Sequence, residues 1–561
     1  MTGMQFDRFY KYDELSALLK DAAKAHPKLL KVESIGKSHE GRDIWLVTVT
    51  NSETGPDTEK PALWIDGNIH ATEISASTAA LYHMDYLVNQ YGKDDEVTRA
   101  LDTRAFYIVP RLNPDGAEWA MADQPRYIRS GTRRYPYDED PLEGWKWEDI
   151  DGDGRMLQMR VPDPQGGWKT HPDDARLMIR REPTEEGGAY YRLLREGLIK
   201  EYDGVTINAQ QNEQGLDFNR NFPLEWRPEG EQHGAGPYPT SEPEIRSAVD
   251  FIAKHQNISF AVTFHTYSGV LLRPYGTKAD EEFPAEDLWM FKAMGEKGTE
   301  MTEYPAISVF HEFKYHPKEV ITGVFDDWVY DQYGMFAWTV ELWSLQRQAG
   351  IEEYKYIDWF REHPVDDDVK IMKWIDEKNG GEGYVPWYAY EHPQLGEVEL
   401  GGWHLMETWR NPPFQYLESE VERFPKWLLW NLLLSPRLEL LETEVTALGD
   451  DSYKVRLVVH NTGYLPTYTS KKAQEKKAVR GVVAEIELPD GASLASGKLR
   501  DDYGQIEGRS RILASSNFSW GDGTAERLKI EWVVKAPGGG LVKLTAKHER
   551  AGVVRADVDL K

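Results

Sequence analysis

The chain reads as an α/β protein, a mostly parallel sheet with helices on both faces, followed by a separate all-β sandwich. Three observations predict this. Short apolar runs such as Ala62 to Ile65, Ala105 to Val109 and Phe260 to Phe264 alternate with segments of helical period, the pattern of strands covered on both sides. His70, His265 and Glu341 follow or end such runs, at the strand ends where open α/β sheets bind ligands. After Ser435-Pro436 the helical period disappears, and Val455 to Val459, Val482 to Leu488, Leu528 to Val534 and Leu541 to Ala546 show strand spacing with Gly, Asp and Pro between them.

Taken in order, Asp13 to Ala25 carries apolar residues at helical spacing and stops before His26-Pro27, since the residue preceding proline disfavours helix. Leu29 to Ile35 and Ile44 to Thr50 read as strands joined by the turn-forming Gly36 to Arg42. Ala62 to Ile65 follows as a strand and Ile74 to Asn89 as a helix. The strand at Ala105 to Val109 runs into a turn at Asn113-Pro114-Asp115-Gly116. Residues 126–212 are charged, rich in Gly, Pro and Trp, and poor in periodic apolar residues, so they read as an insertion.

Ser241-Glu242-Pro243-Glu244 opens a helix reaching about His255, with a capping residue, a proline and early acids. Phe260 to Phe264 is a strand ending at His265, and Glu286 to Met301 a long helix. A turn region holding Tyr304, His311, Tyr315 and His316 comes next, and Gly323 to Tyr333 leads into a strand, Met335 to Val340, ending at Glu341. The aromatic segment with Trp387, Tyr388, Tyr390 and Trp403 is expected at a domain interface rather than on a ligand. Leu417 to Leu434 reads as a helix closing a first domain of residues 1–435. Residues 436–561 form the sandwich, expected to pack on the aromatic segment, with Ser470 to Lys477 an exposed loop.

The formal net charge of -28 works against binding nucleic acid phosphates or an anionic membrane. No Cys is present, so disulfides and thiolate metal sites are excluded and His and carboxylates remain as ligands. No apolar run approaches the ~20 residues that span a bilayer. Nothing resembling a signal peptide opens the sequence, which points to the cytoplasm, a trimmed secreted chain being the other reading.

His70 and Glu73 leave one strand end three residues apart and converge on one ion. Zinc takes His nitrogen and carboxylate oxygen at about 2.0 to 2.2 Å and, in catalytic sites, three protein ligands plus water. His265 supplies the third ligand, the water's pKa falls to about 7, and Glu341 serves as general base. Asp217 is a candidate hydrogen-bond partner for His70. Separately, Asp149, Asp151 and Asp153, followed by Gly154, match the first half of a calcium-binding loop. Arg160 stands where that loop would need a bidentate Glu, so a simpler calcium loop and a plain acidic turn both remain open.

The ordered set His70-x-x-Glu73, Asn113-Pro114-Asp115-Gly116, Asp217-x-Asn219-Arg220-Asn221, His265-x-Tyr267-Ser268 and Glu341-Leu342 resembles the zinc metallocarboxypeptidases of the A/B type, over about Phe9 to Ser344. The resemblance implies a mixed eight-stranded sheet with helices on both faces, one catalytic zinc, and removal of a peptide's C-terminal residue. It implies that Asn219 and Arg220 grip the substrate's terminal carboxylate, with Tyr267 also at the substrate. Arg129, or Arg133 in its stead, polarises the scissile carbonyl. By ungapped spacing from Glu341, the family's mobile tyrosine falls on Glu319, with Tyr315 the substitute. Asp326 falls at the base of the side-chain pocket, implying C-terminal Lys or Arg. Two other readings stand beside this one: a zinc amidase or deacylase acting on cell-wall stem peptides or acyl amino acids, and a peptide-binding protein without catalysis, which would have no need of Glu341.

Overall fold

The computed structural model describes residues 2–316, 318–510 and 523–561. Its central element is a mixed eight-stranded sheet. The strands are β1 (Leu30–Lys37), β2 (Asp43–Val49), β3 (Ala62–Gly67), β4 (Ala105–Val109), β5 (Ile258–Thr266), β6 (Val270–Arg273), β7 (Ala306–Ser308) and β8 (Phe336–Leu342), in the order β1-β2-β4-β3-β5-β8-β6-β7. β4, β3, β5 and β8 run parallel at the centre. Every residue of β3 and of β5 is buried, which explains why both read as continuous apolar runs.

Helices cover both faces. On one side lie α1 (Tyr12–Ala25), α2 (Ile74–Gln90), α5 (Ala285–Thr302) and α7 (Pro425–Leu433); on the other lie α4 (Pro243–Lys254) and α6 (Phe325–Tyr333). A short α3 (Pro114–Ala120) sits beside the sheet's carboxyl edge. In α1 the inward stripe is Leu15, Leu19 and Ala22, each leucine contributing roughly 1.5 to 3 kcal/mol of burial. The expected single helix from Leu417 to Leu434 is two, Phe414–Val421 and α7, because Pro425 lacks an N–H and takes the first turn of a new helix.

Residues 126–212 hold more regular structure than their composition suggests. Strands Gln158–Pro162, Trp168–Thr170, Met178–Arg180 and Tyr191–Arg195 join the hairpin Tyr384–His392 and Gly396–Trp403 in a six-stranded antiparallel sheet. Its packing sets cations on rings beside a small aliphatic core of Met159, Val398 and Leu400. The Arg160 guanidinium lies 4.7 Å from the Trp387 ring and 4.9 Å from Tyr191 and pairs with Glu399 at 2.7 Å, while Arg180 covers Trp168 at 4.1 Å. The aromatic segment therefore packs against the insertion.

Residues 438–560 contribute two four-stranded antiparallel sheets around Val455, Leu457, Ile530, Trp532 and Leu544. Two expectations fail here. Ser470 to Lys477 is no exposed loop: Ser470 caps a helix, Lys471–Lys476, whose first amides donate to Asp287 at 2.7 and 2.9 Å. Nor, among the described residues, does any hydrogen bond or ion pair join the sandwich to the aromatic segment, whereas several join it to α6 and α5. Arg550 donates to the Tyr333 carbonyl at 2.6 Å at the end of α6, and Lys476 pairs with Asp331 at 3.0 Å. Lysines that read as solvated lie on a carboxylate-bearing helix of the first domain. Among the described residues no helix is long and apolar enough to cross a membrane.

Candidate active site

Strand register builds the site. β3 pairs with β5 so that Gly67 lies opposite Phe264, and β5 pairs with β8 so that His265 lies opposite Glu341. His70, three residues past Gly67, turns back over the same edge. As a result His70 Nδ1 lies 3.0 Å from Glu73 Oε2, His265 Nδ1 lies 3.2 Å from that oxygen, and the two Nδ1 atoms are 3.1 Å apart. All three side chains are buried, and one ligand atom from each falls within 4.8 Å of the others.

The far side of each imidazole is fixed. His70 Nε2–H donates to Asp217 Oδ1 at 3.1 Å, and His265 Nε2 meets Thr263 Oγ1 at 3.2 Å, whose own proton goes to Asp66 at 2.7 Å. With Nε2 protonated in both rings, the Nδ1 lone pairs face each other and the Glu73 carboxylate. Three acceptors converging in a buried pocket fit a divalent cation, and two His with one carboxylate is a donor set zinc favours. Burial, aided by the electrostatics of His70 and Arg129, holds His265 down to about 4, against the pull of Glu73.

Arg129 is the arginine at this centre. Its Nε donates to Asp217 Oδ2 at 2.9 Å and its NH1 to Glu73 Oε1 at 3.1 Å, and these carboxylates raise it above the ordinary arginine value. Arg133 is turned away onto Glu242. The Asn113 turn positions Arg129: Asn113 caps α3, while its Nδ2 donates to the carbonyls of Ile69 at 3.2 Å and Ser130 at 2.8 Å, tying together the loops that carry His70 and Arg129. Gly116 permits that approach, for a Cβ there would lie 2.5 Å from Asn113 Nδ2 and 2.7 Å from the Ser130 carbonyl.

A cleft of about 390 Å³ opens beside these groups, walled by Glu73, Arg129, Arg220, Tyr267, Tyr315 and Glu341 among others. Glu341 Oε2 is buried beside it with no hydrogen-bond partner among the described residues. Burial, and then the Glu73 charge, push the Glu341 carboxyl well above the usual glutamate range. Arg220 is held by its NH1 on the Asn219 carbonyl at 2.6 Å, and the Asn219 side chain accepts from Phe325 N–H at 2.9 Å. Tyr315, not the exposed Glu319, stands in the cleft wall. Asp326 is buried in the first turn of α6 and does not wall the cleft. Burial raises it to about 6.

The carboxylates of Asp149, Asp151 and Asp153 also come together, in an outer turn. Their oxygens already accept from the turn's own amides, from Arg155 and from the Tyr388 hydroxyl. One wall residue escaped the sequence reading altogether. Arg410, from the turn Leu405–Arg410, reaches the cleft 5.1 Å from the Tyr267 ring. A lone arginine after an aromatic stretch carries no spacing signal that would have placed it there.

Comparison with known proteins agrees with this geometry. A model described as zinc carboxypeptidase matches residues 15–153 and 192–360. Residues 437–559 match a domain of unknown function (DUF8731). Over 349 residues the chain is 25% identical to carboxypeptidase B of Astacus astacus, covering 60% of this chain and 88% of that protein. It is 24% identical over 352 residues to carboxypeptidase A2 of Rattus norvegicus, covering 61% of this chain and 64% of that protein, just under two thirds of its length. A solved structure of thrombin activatable fibrinolysis inhibitor aligns with 76% of this chain and 74% of that one, at 16% identity and a TM-score of 0.43.

Proposed function

Because the chain belongs to the zinc carboxypeptidase family, we propose that it hydrolyses the last peptide bond of peptides, with His70, Glu73 and His265 holding one zinc ion. The observation that supports this most strongly is the meeting of two imidazole lone pairs and a carboxylate beside a second, unpartnered carboxylate, Glu341. Bound there, zinc would supply Lewis acidity, polarising the scissile carbonyl and acidifying water. The protein's own groups do the rest. Glu341 takes the proton of the attacking water and passes it to the leaving amine. Arg129 faces the negative charge that develops on the carbonyl oxygen. Asn219 and Arg220 orient the substrate through its terminal carboxylate, which a guanidinium can bind with two parallel hydrogen bonds, and Tyr315 closes over it.

Preference for C-terminal Lys or Arg would rest on Asp326, a buried carboxylate that stands outside the cleft wall and that the substrate's cation would have to reach. The test is turnover of blocked peptides ending in Lys, Arg, Phe or Leu, with zinc and with a chelator. Release of one terminal amino acid, abolished by the chelator, is the expected result, with faster release of Lys and Arg if Asp326 selects. Zinc-dependent cleavage confined to muropeptides or acyl amino acids would replace this reading with an amidase. Absence of zinc-dependent turnover would leave only a binding protein.

A further inference from the structure

A second cavity, of about 350 Å³, continues from the cleft and shares Arg129, Tyr267 and Arg410 with it. Arg220 walls the first cavity and not the second. A peptide whose terminal carboxylate sits at Arg220 therefore runs past Arg129 and places its upstream residues in the second cavity.

The charge of this cavity is opposite to that of the chain. Three arginines, Arg129, Arg195 and Arg410, and no carboxylate line it, although the protein carries a net charge of -28. Arg129 is neutralised by Glu73 and Asp217. Arg195 lies over the Trp147 ring at 4.3 Å and Arg410 over Tyr267 at 5.1 Å, and among the described residues neither forms an ion pair. Two guanidinium forks without a carboxylate partner around one space favour an anion with several acceptor positions, which a carboxylate provides.

We propose that this cavity is a subsite for an acidic side chain, Asp or Glu, in the part of the substrate upstream of the bond cut. The proposal rests on the carboxypeptidase reading above. Of the cavity's walls, Trp147 and Arg195 lie within the residues matched by the family model, while Trp409 and Arg410 lie beyond them.

The experiment compares kcat/KM of the zinc-loaded full chain on blocked tetrapeptides with one fixed C-terminal residue and Glu, Gln or Lys at each of the two positions before it. At one of those positions Glu should exceed Gln by roughly tenfold, the usual worth of hydrogen bonds to a charged group, and Lys should be poorest. Arg195→Gln and Arg410→Gln should each shrink the Glu-to-Gln ratio, and the double variant should bring it to about one. Because a ratio is read, a general loss of activity cancels. Equal rates for Glu, Gln and Lys, or a Glu preference that survives the double variant, would overturn the subsite. The same peptides titrated calorimetrically into Glu341→Gln read the preference from affinity. A protein that binds Glu peptides about tenfold tighter but cleaves none would sink the hydrolase reading while supporting the subsite.

Discussion

Glu341 and Asp217 carry separable duties, and each can be tested alone. Glu341 walls the cleft, and among the described residues it forms no hydrogen bond to the metal-holding atoms. Glu341→Gln should keep its zinc and lose at least about a hundredfold in kcat, the usual scale of general base catalysis; near-normal turnover would remove the assigned role. Asp217 acts through His70 and Arg129, at 3.1 and 2.9 Å. Asp217→Asn should weaken zinc affinity by roughly ten to a hundredfold, as loss of an outer partner to a ligating imidazole does, and unchanged affinity in a chelator competition would contradict the arrangement. Of these residues the His70, Glu73, His265 and Glu341 set was readable in the sequence because His70, His265 and Glu341 follow or end apolar runs and Glu73 lies three residues past His70. Arg410 was not, since nothing in its neighbourhood predicts which way its turn projects.

At the scale of elements, the loops at the carboxyl edge are located by close packing rather than by length. Gly116 lets α3 sit against the Ser130 carbonyl and Ala71. Gly116→Val should part the loops bearing His70 and Arg129 and lower kcat by about tenfold to a hundredfold, the effect of an ångström-scale misplacement, while zinc content stays near one per chain. An unchanged kcat would show that the contact does not position Arg129. The central strands β3, β4, β5 and β8 were legible because their apolar runs are unbroken, whereas the short β6 and β7 were not read. The insertion's sheet was not legible either, because its aliphatic core of Met159, Val398 and Leu400 is small and Arg160 and Arg180 stack on Trp and Tyr rings beside it. The segment from Ser470 likewise read as solvated, when its amides and lysines sit on Asp287 and Asp331.

Taken whole, the molecule keeps several histidines neutral in its interior. Burial pushes His83 and His548 down to about 3 and His404 to about 4. Unfolding returns each to about 6.5, so the unfolded chain binds more protons below that pH. Their contribution to stability is therefore complete above about pH 6.5 and is lost as pH falls toward their folded values. Denaturant unfolding at pH 7.5 and pH 5 should show a marked drop, and His83→Leu should make it smaller; an identical drop in the variant would contradict the assignment. The central claim, however, is that four side chains distant in the sequence meet around one metal ion at the edge of one sheet. A zinc-edge anomalous difference map of the crystallised protein measures this directly. One strong peak bonded to His70 Nδ1, His265 Nδ1 and Glu73, with Glu341 beside it but unbonded, is the predicted result. A map with no peak between those three groups, or with zinc held elsewhere in the chain, would contradict it.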